Sequence, residues 1–124
     1  MRKILIVDDS TTMRRMVAAS LRTLHNVALE EASSGLEAIE RLSLYSASLM
    51  ILDLNMPDMH GLDVLRFVRS QRSGQKLPII VLTTRGDDES RSAALSAGAN
   101  LYMTKPFAPS DLLNSVGSLL EQFA

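Results

Sequence analysis

The stretch Ile4-Leu5-Ile6-Val7-Asp8-Asp9-Ser10 joins four consecutive aliphatic residues to two aspartates and a serine. A continuous apolar run of this kind, without alternating polar residues, is typical of a strand that is covered on both faces. Four further short runs follow along the chain, namely Val27–Leu29, Leu49–Leu52, Ile79–Leu82 and Leu101–Met103. The sequence therefore predicts five short strands of a mostly buried sheet.

Segments with helical spacing of apolar residues separate and follow these runs. The last of them has the clearest stripe, formed by Leu112, Leu113, Val116, Leu119 and Leu120. The segment Asp88–Ala97 is weaker, because alanines stand where large apolar residues are expected. Residues typical of helix ends agree with this division. Ser34 and Glu37 have the spacing of a capping box at a helix N-terminus. Gly98 is typical of a helix C-terminus, and Pro109 is typical of a first helical turn.

Strict alternation of five strands with five helices indicates an α/β fold, in which a parallel sheet carries helices on both faces. A closed eightfold barrel needs about 250 residues, and this chain has 124. We therefore expect one doubly wound α/β domain over residues 1–124. Functional groups of such a sheet lie beyond the carboxyl ends of its strands, near the point where the strand order reverses.

Composition excludes several classes of function. The 13 basic and 14 acidic residues give a net charge of −1, which argues against a generally basic nucleic-acid-binding surface. The chain contains no cysteine, so it can have no disulfides, no thiolate nucleophile and no zinc site with cysteine ligands. The apolar runs fall far short of the ~20 residues of a membrane span. The first run ends too early for a signal peptide, so we expect a cytoplasmic protein.

Residues whose side chains can react or bind a ligand follow four of the five strands. Asp8 and Asp9 follow the first, Asp53 the third, Thr83 the fourth and Lys105 the fifth. If the first and third strands are neighbours, three carboxylates meet at one edge, and a hard divalent cation such as Mg²⁺ would offset their repulsion. An ammonium and a hydroxyl group beside them would complete a cradle for a phosphoryl group.

Each of these residues also has a structural interpretation. A lone aspartate at a strand end is often a helix cap, so Asp9 or Ser10 could serve only to cap the first helix. Thr83 could be a capping hydroxyl and Lys105 a solvated surface charge. The placement of all of them at one edge of the sheet favours a functional site.

These residues belong to motifs that resemble the receiver domains of two-component response regulators, closest to the chemotaxis type. The resemblance extends from Lys3 to about Phe123, and no part of the family's active-site set is missing. The motifs are ILIVDDS at 4–10, DLNMPDMHG at 53–61, LTT at 82–84, AGA at 97–99 and YMTKPF at 102–107. The resemblance implies a flavodoxin-like (βα)5 fold with strand order 2-1-3-4-5.

The resemblance also implies a role for each acidic residue. Asp53 is expected to be the phosphoacceptor and, with Asp9, to bind Mg²⁺ directly. Asp8 would act mostly through a water molecule, and the backbone carbonyl of Asn55 would supply a further ligand. The domain would then catalyse its own phosphorylation and slowly reverse it.

On the same grounds, Thr83 and Lys105 would each bind a phosphoryl oxygen, and the Lys105–Pro106 bond would be cis. Thr83 and Tyr102 would form a switch, in which the Tyr102 ring turns inward on phosphorylation and reshapes the face of the fourth helix, fifth strand and fifth helix. The expected partners are a sensor histidine kinase or histidine phosphotransfer protein and a protein output target. We expect no direct contact with nucleic acid or membrane.

Three alternatives stand beside a free-standing regulator. The chain could be a receiver module from a longer DNA-binding or enzymatic regulator. A flavodoxin-like flavin protein would need a Ser/Thr/Gly-rich phosphate loop after the first strand, where this chain has Asp8 and Asp9. A phosphatase with an aspartate nucleophile usually spaces its two acids by one residue, whereas these two are adjacent.

Overall fold

The computed structural model describes residues 1–123, in which five strands alternate with five α-helices, and a short 3-10 helix (Arg72–Gly74) precedes the fourth strand. The strands are β1 (Arg2–Val7), β2 (Val27–Ala32), β3 (Leu49–Leu52), β4 (Ile79–Thr83) and β5 (Leu101–Thr104). The helices are α1 (Thr11–Ser20), α2 (Gly35–Leu44), α3 (Gly61–Ser70), α4 (Asp88–Ser96) and α5 (Pro109–Gln122). Within the described residues, no helix is both long and apolar enough to cross a membrane.

All five strands are parallel and lie in the order β2-β1-β3-β4-β5, which confirms the doubly wound fold and the strand order. The order reverses between β1 and β3. Val7 is in register with Leu52 across this pair, so the residues that follow the two strands emerge at the same level. The groups after β1 and β3 therefore lie at the switch point, where open α/β sheets bind ligands.

The core has two layers, one on each face of the sheet. Alternate residues of a strand enter opposite layers, so that Ile4 packs in the layer of α1 and α5 while Leu5 packs in the layer of α2 and α3. The central strands β1, β3 and β4 are almost entirely buried, whereas β2 and β5 are edge strands with partly exposed residues. The continuous apolar runs thus mark the central strands most sharply.

Strand β2 is longer than its apolar run. It continues through Glu30 and Glu31 to Ala32, three residues beyond the predicted end at Leu29. An edge strand can hold charged side chains because one side of it faces water, and the Glu31 carboxylate pairs there with Arg14 at 2.9 Å. Apolar pattern alone could not reveal this extension.

Three predicted helix boundaries are confirmed, with one difference in detail. The Ser34 hydroxyl accepts a hydrogen bond from the Glu37 backbone N–H at 3.0 Å, and Pro109 opens α5. Gly98 follows α4 with a φ of 113°, a conformation that favours glycine. The Glu37 carboxylate accepts from the Ser33 backbone N–H at 3.3 Å, one residue before the position that a capping box requires.

Candidate functional site

Three carboxylates converge at the carboxyl edge of the sheet. Asp8 directly follows β1 and Asp53 directly follows β3; each is only 5% exposed, while Asp9 faces solvent. One carboxylate oxygen from each of the three lies within 4.8 Å of the others. The juxtaposition of Asp8, Asp9 and Asp53 predicted from the sequence is therefore present in the fold.

Backbone hydrogen bonds fix the two buried aspartates. The Asp53 N–H donates to the Val7 carbonyl at 3.0 Å, which continues the β1–β3 ladder to the site. The Asp8 carboxylate accepts from the Ser10 N–H at 2.9 Å. Ser10 in turn caps α1, since its hydroxyl accepts from the Met13 N–H at 3.2 Å. Because Ser10 is the capping residue, Asp9 is not needed for that role.

Lys105 supplies the positive charge at this edge. Its Nζ lies 2.7 Å from Oδ2 of Asp8 and 3.6 Å from Oδ1 of Asp53, and its side chain is 10% exposed. The backbone N–H of Lys105 donates to the Thr83 carbonyl at 2.8 Å, and the Lys105–Pro106 bond is cis, as expected. Lys105 is thus part of the site and not a solvated surface residue.

Thr83, the last residue of β4, lies at the same edge of the sheet. The residue is fully buried, and its hydroxyl accepts from the Arg85 backbone N–H at 3.4 Å and from the Asn55 side-chain amide at 3.5 Å. The hydroxyl lies close enough to the Asp53 carboxylate to lower the pKa of that group. Thr83 therefore lies against the group that the sequence analysis identified as the reactive carboxylate.

Burial raises the pKa of Asp53, and the neighbouring charge of Asp8 raises it further. The ammonium of Lys105 and hydrogen bonds from the Asn55 backbone and the Thr83 hydroxyl oppose this rise. One ammonium faces three carboxylates, so an excess of negative charge remains. Closely spaced oxygen ligands with such an excess suit a hard divalent cation, and the residues present fit Mg²⁺.

Comparison with known proteins agrees with this geometry. Residues 4–117 match the response regulator receiver domain family. This chain is a response regulator receiver domain. Chemotaxis protein CheY1 of Helicobacter pylori is 44% identical over 108 residues, which cover 86% of this chain and 87% of that protein. The Campylobacter jejuni CheY homologue is 39% identical over 119 residues, covering 95% and 92%.

A solved structure supports the same assignment. The crystallised chemotaxis protein CheY4 of Vibrio cholerae superposes with a TM-score of 0.88 at 34% identity and covers 96% of this chain and 98% of that one. Receiver domains act in two-component signalling, generally bind Mg²⁺ in an acidic pocket, and interact with histidine kinases and output targets. In this receiver domain the acidic pocket is the cluster of Asp8, Asp9 and Asp53.

Tyr102 of the receiver domain is buried, with 4% of its surface exposed. Its hydroxyl donates a short hydrogen bond to the backbone carbonyl of Arg85. The inward movement of the ring on phosphorylation, expected from the sequence analysis, stays a prediction. The backbone of Arg85 therefore connects the two expected switch residues, because its N–H contacts Thr83 and its carbonyl contacts Tyr102.

Sequence reasoning missed two residues that support the site. Arg14 of α1 donates to the backbone carbonyl of Asp8 at 2.6 Å while it pairs with Glu31 of β2. Asp58, in the loop after β3, accepts hydrogen bonds from the backbone N–H groups of Gly35 and Leu36 at 3.1 and 3.0 Å. The pairing of Arg14 with Glu31 spans 17 residues, and the hydrogen bonds of Asp58 span 22 and 23 residues, so no local sequence pattern predicts them.

The glycine of the DLNMPDMHG motif has a steric reason. A Cβ at Gly61 would lie 2.5 Å from the backbone oxygen of Asp53 and 2.6 Å from Cα of Leu54. The Gly61 N–H also donates to the Leu54 carbonyl at 2.9 Å. Only glycine allows α3 to begin this close to the acidic pocket.

Proposed function

We propose that this chain is a response regulator that accepts a phosphoryl group on Asp53 from a histidine kinase or a histidine phosphotransfer domain. The observation that carries the proposal is the position of Asp53, a buried carboxylate beside Asp8, Asp9 and the ammonium of Lys105. A small acyl phosphate would serve as an alternative donor.

In the proposed reaction a carboxylate oxygen of Asp53 attacks phosphorus of the donor. The new P–O bond forms as the P–N bond to the donor imidazole breaks, and that imidazole nitrogen keeps the bonding electron pair and takes a proton from solvent. The attacking group must be ionised, and Lys105 favours the ionised form of Asp53. Hydrolysis of the acyl phosphate by water would return the free carboxylate and inorganic phosphate.

The remaining residues are proposed to bind the transferred group and the metal. Lys105 and the Thr83 hydroxyl would each contact a phosphoryl oxygen, because both already lie beside Asp53. Asp8, Asp9, Asp53 and the backbone carbonyl of Asn55 would hold Mg²⁺. A bound Mg²⁺ ion would offset the negative charge that accumulates between the carboxylates and the phosphoryl oxygens.

The output would pass from the pocket to the surface formed by α4, β5 and α5. A phosphoryl group on Asp53 would hold Thr83, and the Arg85 backbone would transmit this constraint to Tyr102. Helix α4 has only Ala94 fully buried, so it can shift with little loss of core packing. A ligand shifts such an equilibrium only through its different interactions with the two states. We propose that the target is a protein, bound without direct contact to nucleic acid.

Two activities considered from the sequence have less support. β1 is followed by an acidic turn fixed by Ser10, which does not suit the phosphate of a flavin. The ammonium of Lys105 and the acids Asp8 and Asp9 surround the residue after β3, whereas the phosphatase alternative needs its nucleophile after β1.

Transfer from a phosphorylated histidine kinase tests the proposal. The kinase is labelled with radioactive phosphate, freed of nucleotide and mixed with the receiver domain in the presence of Mg²⁺. Label should move to the wild-type chain and to Asp58→Asn, but not to Asp53→Asn. Equal labelling of all three chains, or no labelling with any kinase or with acetyl phosphate, would refute it.

A further inference from the structure

Arg14 of α1 makes three contacts beside the acidic pocket, one from each nitrogen of its guanidinium group. Nη1 donates to the backbone carbonyl of Asp8 at 2.6 Å, Nε to the carboxylate of Glu31 at 2.9 Å and Nη2 to the hydroxyl of Thr11 at 3.2 Å. The Arg14 side chain is only 13% exposed. Because the donors of a planar guanidinium point in fixed directions, three contacts hold the group in one orientation.

Asp8 has a partner at each of its polar atoms. Its N–H donates to the Ala32 carbonyl at 3.1 Å, and its two carboxylate oxygens accept from the Ser10 N–H and from the Lys105 ammonium. The fourth polar atom is the backbone carbonyl oxygen, and Arg14 is its partner. Arg14 therefore acts on the backbone of Asp8, while the Asp8 carboxylate is held by other groups.

The carbonyl that Arg14 contacts belongs to the peptide group between Asp8 and Asp9. A peptide group is planar, so a contact that fixes its oxygen also fixes its N–H, which is that of Asp9. The Asp9 side chain faces solvent, so its position depends on this backbone. A turn free to move would have to be ordered when a ligand binds, and that ordering costs conformational entropy.

Glu31 supports Arg14 from the sheet. It lies in β2 and is in register with Ile6 of β1, two residues before Asp8, so its backbone is fixed by the strand pairing. Its carboxylate also offsets the charge of the guanidinium. The repulsion between Arg14 and a divalent cation in the acidic pocket is therefore reduced.

We propose that Arg14 is a positioning residue for the metal site: it fixes the peptide group between Asp8 and Asp9 and so holds the Asp9 carboxylate in place for Mg²⁺. The inference rests on the proposed function, in which Asp9 is a metal ligand. The two cations at this edge of the sheet then act in opposite directions. Lys105 contacts the carboxylate oxygens and competes with Mg²⁺, whereas Arg14 contacts the backbone and favours Mg²⁺ binding.

Mg²⁺ titrations followed by amide NMR test the proposal through the sign of the effect. Arg14→Gln should bind Mg²⁺ about tenfold more weakly, as expected when a group that orients a metal ligand is lost. A purely electrostatic role predicts the opposite, because removing a positive charge beside carboxylates strengthens cation binding. Arg14→Lys keeps the charge, but one ammonium cannot replace the three-way contact, so it should also bind more weakly. Arg15→Gln, an exposed position on the same helix, should bind as the wild type does.

Nitrogen-15 relaxation without Mg²⁺ gives a second measurement. The order parameter of the Asp9 amide should fall from roughly 0.85 toward 0.6 in Arg14→Gln and Arg14→Lys, and stay unchanged in Arg15→Gln. If Arg14→Gln does not fold, Arg14→Lys decides by the same two measurements.

The proposal is overturned if the Arg14 variants lose stability in urea unfolding but keep the Mg²⁺ affinity and the Asp9 order parameter of the wild type, or if Arg14→Gln binds Mg²⁺ more tightly. Asp9→Asn separates this failure from that of the proposed metal site. Weaker Mg²⁺ binding by Asp9→Asn alone would refute only the role of Arg14. Unchanged binding by both Asp9→Asn and Arg14→Gln would refute the metal site as well.

Discussion

The ammonium group of Lys105 lies 2.7 Å from Oδ2 of Asp8, in a pair whose side chains are only 10% and 6% exposed. Its distance to the proposed phosphoacceptor, Asp53, is longer at 3.6 Å. Lys105 therefore neutralises the same carboxylates that a divalent cation would neutralise. This competition has a measurable consequence for metal binding.

Replacing Lys105 with methionine should strengthen Mg²⁺ binding and weaken phosphoryl transfer. Removal of a positive charge beside two buried carboxylates should raise Mg²⁺ affinity about three- to tenfold at low salt. Without Mg²⁺ the variant should be less stable by about 3 kcal/mol, because buried carboxylates lose their partner. Calorimetric titration measures the Mg²⁺ affinity, and urea unfolding measures the stability.

The matched control is Lys76→Met, which removes the same charge near the opposite edge of the sheet. It should leave Mg²⁺ affinity unchanged. Weaker Mg²⁺ binding by Lys105→Met than by the wild type would show that Lys105 does not compete with the metal for these carboxylates.

Replacing Tyr102 with phenylalanine should interrupt the connection between the pocket and α4. The ring would stay buried, but the hydrogen bond to the Arg85 carbonyl would be lost. On addition of beryllofluoride with Mg²⁺, amide shifts in wild-type protein should extend from Thr83 to α4. In Tyr102→Phe they should still reach Thr83 and fall by at least half in α4.

The control for this prediction is Tyr45→Phe, which removes a hydroxyl at the far edge of the sheet and should leave the pattern intact. If the shifts in α4 are as large in Tyr102→Phe as in the wild type, the Tyr102 hydroxyl does not transmit the signal.

Asp58 should make the stability of the domain depend on pH. The backbone N–H of Leu36, followed by that of Gly35, holds the pKa of Asp58 below its usual range. A lowered pKa in the folded state means that the stabilisation is present above the unfolded value, about 4, and is lost as the pH falls through the folded value. Asp58→Asn should therefore cost about 0.3–1 kcal/mol at pH 7, a small effect because the carboxylate is exposed, and progressively less below pH 4.

Ser34→Ala provides the comparison, because Ser34 caps the same helix with a group that does not titrate. The loss of stability caused by Ser34→Ala, measured by urea unfolding, should be similar at pH 7 and at pH 3. A cost of Asp58→Asn that stays constant down to pH 3 would contradict the proposed role of the carboxylate.

His60 is the N-cap residue of α3. Its imidazole is a weaker hydrogen-bond acceptor here than the side chains of the preferred N-cap residues Ser, Thr, Asp and Asn. Its Nδ1 accepts from the Leu62 backbone N–H at 3.1 Å. Aspartate is a preferred N-cap residue, and its charge interacts favourably with the helix dipole. His60→Asp should stabilise the domain by about 0.5–1 kcal/mol in urea unfolding. The same change at exposed His25 should have a smaller effect, and a destabilising His60→Asp would refute the argument.

The sequence predicted those parts of the fold that depend on local pattern. Continuous apolar runs located the buried strands, and the residues after them located Asp8, Asp53 and Lys105, because parallel strands end at one edge. The length of β2 was underestimated, because the charged residues Glu30 and Glu31 end the apolar run although an edge strand can hold them. Local pattern therefore describes the centre of the sheet better than its margin.

Interactions between distant segments could not be predicted in this way. The pairing of Arg14 of α1 with Glu31 of β2 depends on how the helix packs beside the sheet. The capping of α2 by Asp58 depends on the packing of two loops that lie 22 or more residues apart.

Intact-protein mass spectrometry with acetyl phosphate and Mg²⁺ tests the central claim, that Asp53 is the phosphoacceptor, most directly. Wild-type protein should gain the mass of one phosphoryl group, and borohydride trapping followed by peptide mapping should place it on Asp53. Asp53→Asn should gain nothing, while Asp58→Asn should behave as the wild type. A phosphoryl group that persists in Asp53→Asn, on Asp8, Asp9 or any other carboxylate, would contradict the account.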